Sequence, residues 1–129
     1  MLEKLVRLAL LYDFYGPLLT ERQRQFIELY YQQDWSLGEI AAHFGVSRQA
    51  VHDLLRRAEA ALEDYEGKLR LVERSREQRA AVERLAGTLE QAEQQLDAWL
   101  QGRDPRDLRR LRLRLRHGRR LLQRLRREV

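Results

Sequence analysis

The chain has 129 residues, with 25 Lys and Arg against 20 Asp and Glu, a formal charge of +5 and a pI near 10.1. That length suits one domain, or a small domain with an appendage. The absence of cysteine excludes a disulfide framework and a Cys-ligated zinc or iron–sulfur site. No apolar run approaches the length that spans a bilayer and no basic-then-apolar leader stands at the N-terminus, so the expected location is cytoplasmic.

The basic side is almost all arginine: Lys4 and Lys68 are the only lysines, leaving 23 Arg beside 25 Leu. Val, Ile and Thr together number ten, so strand formers are scarce while Leu, Arg, Glu, Gln and Ala favour helix. An all-α fold is expected. Residues 1–65 carry seven basic and ten acidic side chains, net −3, whereas residues 66–129 carry eighteen and ten, net +8. Eight of the ten aromatics lie in the first 44 residues, which places the compact core N-terminally. We expect a module over residues 1–66, then a long helix and an antiparallel helical hairpin over residues 67–129.

In chain order, Leu2, Leu5, Leu8, Leu11 and Tyr15 recur at helical spacing, and Gly16-Pro17 ends that helix. Thr20 with Gln23 reads as a capping box for a helix through Phe26, Ile27 and Tyr30/Tyr31. Ser36 with Glu39 is a second, opening a short helix from Leu37 to Phe44 after a connection at Trp35. Gly45 is a candidate left-handed turn residue, and Ser47 the N-cap of the next helix. Leu37, Ile40, Ala41, Phe44, Gly45, Val46, Val51 and Leu54 follow helix-turn-helix spacing: a small residue at the crossing, glycine four later, an apolar residue ten later.

The exposed candidates on the second of those helices are Ser47, Arg48, Gln49, His52 and Arg56, with Arg57 alongside. Arg48 and Gln49 have the chemistry for phosphate or base contacts. Asp53 on the same side repels phosphate, and the module's net charge of −3 opposes DNA binding, which depends on Lys and Arg neutralising phosphates. Shape and electrostatics therefore disagree.

Helix is expected to continue from Ala58 through Leu62, Tyr65, Leu69 and Val72. Residues 73–79 lack apolar side chains, so there the helix either runs exposed or bends. Val82, Leu85, Leu89, Ala92, Leu96 and Trp99 form a second stripe. Gly102 ends it, Asp104 caps the next helix, and Pro105 fits that helix's first position. Leu108, Leu111, Leu115, Leu122 and Leu125 then repeat in heptads, with Gly118 at the missing position. These stripes make a homodimer an open alternative to a monomeric hairpin. The last helix also carries Arg106, Arg109, Arg110, Arg112, Arg116, Arg119, Arg120, Arg124 and Arg127, and residues 103–129 sum to +9. Arginine binds phosphate bidentately, so this face is a candidate for RNA or DNA backbone or an acidic protein surface. Anionic lipid ranks below these, because the helix has no aromatic anchor.

No Gly-rich phosphate loop, nucleophile motif or ligand cluster occurs, and His43, His52 and His117 lie in separate elements. No catalytic constellation, cofactor or metal site is expected.

The strings LLYDFYGPLLTERQRQFIELYY, WSLGEIAAHFGVSRQAVHDLLRR and LEDYEGKLRL, within residues 5–75, resemble the YlxM family of bacterial helix-turn-helix proteins. Residues 36–53 are also similar to region 4 of RNA polymerase sigma factors. The YlxM resemblance implies a regulatory component of the signal recognition particle pathway, with a targeting GTPase or its RNA as partner and no enzymatic activity. The tail beyond about residue 76 lies outside that resemblance. The alternative is a dimeric transcription regulator reading DNA with residues 47–57.

Overall fold

The computed structural model describes residues 2–128, and among them every regular element is helical. Six α-helices follow in order: α1 (Leu2–Tyr15), α2 (Glu21–Ile27), α3 (Leu37–Phe44), α4 (Arg48–Leu69), α5 (Leu71–Gly102) and α6 (Pro105–Glu128). The all-α expectation holds. The chain divides into two compact units, Met1–Val72 and Glu73–Val129.

Local chemistry sets the first unit's boundaries. A single 3-10 turn, Gly16–Leu18, follows α1. Thr20 closes a complete capping box with Gln23: each side chain takes the other's backbone N–H. At Ser36 only half of the expected box forms, its hydroxyl accepting from the Glu39 N–H at 3.1 Å. Beyond Ile27 the helix widens into a π turn, Glu28–Gln32, which Asp34 closes at φ 57°. Tyr12 donates to Glu28 and Tyr31 to Glu59, so this turn is tied to α1 and α4.

Two apolar clusters fill the unit. Phe26, Ile27, Ile40, Ala41, Val51, Leu55 and Ala58 join α2, α3 and α4. Leu8, Leu11, Tyr15 and Leu19 pack with Leu62 and Val72. Tyr12 and Tyr31 border both. Val46, placed among the apolar motif positions, stays 38% exposed, and Leu55 rather than Leu54 is the buried leucine.

The helix expected to run unbroken to Val72 stops at Leu69, because Arg70 turns left-handed at φ 54°. The side chains that accommodate the break lie far away in sequence. Tyr15 Oη accepts from the Leu71 N–H at 2.9 Å, and buried Glu66 accepts from the Val72 N–H at 3.0 Å. Those are orphan donors of a new helix start, satisfied by remote side chains. Residues 73–79 remain helical, so the exposed-helix alternative is the one adopted there.

In the second unit α5 and α6 form an antiparallel hairpin. Arg103, at φ 51°, makes the left-handed turn after Gly102. Asp104 then accepts from the Arg106 N–H at 2.9 Å and Pro105 opens α6. The seam keeps part of the expected stripes, with Leu85, Ala92, Trp99, Leu111 and Leu125 buried or half-buried, and departs from the rest. The buried residues are Thr88, Ala92, Gly118 and Leu121, while Val82, Leu89, Leu96, Leu108, Leu115 and Leu122 are exposed. Small residues let the helices approach: a Cβ on Gly118 would sit 3.4 Å from Thr88 Cγ2.

Candidate nucleic-acid interface

The helix-turn-helix is built by α3, Gly45 and α4. The N–H groups of Gly45 and Val46 both bond to the Ala41 carbonyl, the latter at 3.0 Å. Gly45 takes φ 67°, a conformation open to glycine without steric cost. Ala41 and Val51 meet in the core, as the motif spacing requires. On α3, Phe44 packs against Phe26 with the rings tilted and their centroids 4.7 Å apart, and the Arg22 guanidinium lies 5.0 Å from the Phe44 ring centre.

The start of α4 holds the predicted contact residues, and Ser47, Arg48 and Gln49 are already engaged locally. Ser47 Oγ accepts from the Ala50 N–H at 3.0 Å, so its hydroxyl acts as the N-cap. The Arg48 guanidinium lies over the first turn of α3, where a Cβ on Gly38 would stand 3.0 Å from its Nε. Gln49 Nε2 donates to Asp53 Oδ1 at 2.9 Å. His52 is half-buried, its Nδ1 3.7 Å from the same carboxylate oxygen. Arg56 and Arg57 are exposed. The Asp53 carboxylate thus sits among the very side chains that would face a groove.

The predicted basic face of α6 is displayed to solvent. Arg106, Arg109, Arg110, Arg112, Arg116, Arg119, Arg120, Arg124 and Arg127 are all exposed. Among the described residues, Arg106 with Asp104, at 3.4 Å, makes the ion pair recorded on this helix. Arg114 differs: it is half-buried and lines the groove with Leu85, Thr88 and Ala92.

One surface was missed by sequence reasoning. Lys4, Leu5, Leu8, Tyr30, Tyr31, Asp34, Trp35 and Ser36 line a groove between α1 and the π turn. Leu2, Leu5 and Val6 beside it are exposed. The signal was present in the clustered Tyr30, Tyr31 and Trp35, which read as core. Burial and the bond to Glu59 push the Tyr31 hydroxyl up from its ordinary value, so it stays a neutral donor on this wall.

Among the described residues no three His, Cys, Asp or Glu are grouped to hold a metal, and no helix is long and apolar enough to cross a membrane.

A family model described as "Putative helix-turn-helix protein, YlxM / p13 like" (UPF0122) matches residues 2–100. A UPF0122 protein of Geobacillus kaustophilus is 55% identical over 85 residues, 66% of this chain and 77% of the relative. One from Symbiobacterium thermophilum is 53% identical over 87 residues, 67% and 81% of the two chains. One from Bacillus mycoides is 50% identical over 93 residues, 72% and 84%. The matched range of the family model contains the helix-turn-helix and most of α5, and α6 lies beyond it.

Proposed function

The chain belongs to the YlxM / p13-like family of helix-turn-helix proteins, and from that premise we propose that it is a non-enzymatic regulatory component of the signal recognition particle pathway. In this reading the N-terminal module docks on protein, a targeting GTPase, through the groove lined by Leu5, Tyr30, Tyr31 and Trp35. The arginines of α6 engage RNA backbone.

The observation that carries the reading is where exposed positive charge sits. It is concentrated on Arg109, Arg110, Arg116, Arg120, Arg124 and Arg127, whereas the start of α4 is centred on Asp53. A polyanion is attracted by exposed arginine and repelled by a carboxylate held in its path. The pathway itself comes from the YlxM resemblance.

A second reading has one specific observation in its favour. The α3–Gly45–α4 geometry is that of a helix-turn-helix, a motif that can read DNA, with Arg48, Gln49 and Arg56 exposed and His52 half-buried. This would make the protein a dimeric transcription regulator.

Pull-down of the targeting GTPase and its RNA by the full chain separates the two. The first reading predicts that Leu5→Asp loses the GTPase and that Arg116→Gln with Arg120→Gln and Arg124→Gln weakens RNA capture. The second predicts sequence-selective duplex binding abolished by Arg48→Ala and Gln49→Ala.

A further inference from the structure

The α5–α6 hairpin closes on small side chains and leaves large ones outside. Ala81, Leu85, Thr88 and Ala92 meet α6 around Gly118 and Leu121. One residue after buried or half-buried seam positions stands an exposed apolar side chain. These are Val82, Leu89 and Leu96 on α5, and Leu108, Leu115 and Leu122 on α6. A step of one residue turns about 100° around a helix, and in two antiparallel helices that turn leads to the same face. The grooves on the hairpin agree. One is lined by Leu85, Leu89, Leu115 and Leu122, and the other, on the far side, by Glu77, Arg84 and Arg124.

We propose that this apolar face is covered by the same face of a second copy of the chain. The product is a four-helix bundle in which α5 of each copy packs against α6 of the other.

Three observations select a second copy. The rows 82/89/96 and 108/115/122 repeat every seven residues, the period at which helix side chains interdigitate. Six side chains, each 40–55% exposed, present on the order of 500 Å² of apolar surface, the size at which patches on monomers become unusual. That is somewhat over half of the roughly 800 Å² that each partner contributes to a standard interface. A two-fold axis sets the same patch of each copy against the other, and an apolar face matches itself in chemistry.

Charge then selects the pairing. Arg112, Arg119 and Arg126 border the leucine row of α6. From Leu85 to Gly102, α5 carries Glu90, Glu93 and Asp97 and no basic residue. A two-fold axis along the helices sets this acidic edge against the partner's arginine edge. An axis across them sets arginine on arginine, which opposes association. The chosen arrangement leaves Arg109, Arg110, Arg116, Arg120, Arg124 and Arg127 on outer faces, so dimerisation doubles the basic surface.

Sedimentation equilibrium on the full chain without nucleic acid tests this. The expected mass is twice 15.5 kDa. Leu89→Asp with Leu115→Asp gives a monomer of unchanged helical circular dichroism, because both side chains are half-exposed within one copy. Arg112→Glu with Arg119→Glu weakens the dimer by about tenfold or more, and adding Glu90→Arg with Glu93→Arg restores it. The charge variants carry the test if the leucine variant misfolds. A wild-type monomer at micromolar concentration overturns the proposal, and its flotation with anionic vesicles would assign the face to lipid. A leucine variant that stays dimeric, or a tighter dimer after the arginine reversal, also overturns it.

Discussion

The Tyr15 hydroxyl donates to the Glu66 carboxylate at 2.5 Å, across 51 positions of sequence, and the pair together caps the start of α5. Tyr15 is fully buried and Glu66 nearly so. The pair makes the break after Leu69 tolerable: the amides of Leu71 and Val72, which lose their partners four residues back, are satisfied by Tyr15 and Glu66 instead.

Tyr15→Phe therefore leaves the Leu71 N–H without its acceptor and removes a donor to Glu66. A buried group left unsatisfied costs about 1–3 kcal/mol. The urea midpoint should fall accordingly, with unchanged helical content. An unaltered midpoint would mean that the pair does not hold the junction.

Alkaline pH should unfold the chain from the same region. Burial foremost, with the bonds to Glu66, Glu28 and Glu59, raises the hydroxyls of Tyr15, Tyr12 and Tyr31, that of Tyr12 to about 12 from 10.0. The folded state holds these protons more tightly than the unfolded one. Their contribution is complete below pH 10 and is lost as pH rises toward 12. Phenolate absorbance at high pH should rise together with loss of circular dichroism. Tyrosine ionisation with full retention of helix would contradict this.

Two glycines should respond in opposite directions to alanine. A Cβ at Gly45 or Gly87 meets no atom within 4 Å, so crowding plays no part at either. Gly45 stands at φ 67°, where a side chain costs about 1–2 kcal/mol. Gly87 lies inside α5, where alanine gains about 0.8–1 kcal/mol of helix propensity. Thermal melts of Gly45→Ala and Gly87→Ala should move down and up respectively.

The elements that were legible in the sequence carry their cause within a few residues. Thr20 with Gln23, Gly45, Ser47, and Asp104 with Pro105 each act on the adjacent backbone, so short-range chemistry located them. The break at Arg70 was not legible, because its caps come from Tyr15 and Glu66. The hairpin seam was legible only in part: Leu85, Ala92, Leu111 and Leu125 of the expected stripes are buried or half-buried, whereas Val82, Leu89, Leu96, Leu108, Leu115 and Leu122 are exposed. Heptad reading follows apolar side chains, whereas close helix approach also draws in Thr88 and Gly118. The groove at Tyr30, Tyr31 and Trp35 was hidden because aromatics signal burial before they signal a surface.

We propose that polyanion binding resides on α6 and not at the start of α4. The most direct test is the salt dependence of RNA binding by the full chain, using the RNA of the signal recognition particle. For single strands the slope of log affinity against log salt falls by about 0.7 for each phosphate that is no longer neutralised. Arg116→Gln, Arg120→Gln, Arg124→Gln and Arg127→Gln together should flatten that slope and weaken binding, while Arg48→Ala with Gln49→Ala should leave both unchanged. An intact slope in the α6 variant, with binding abolished in the α4 variant, would contradict it.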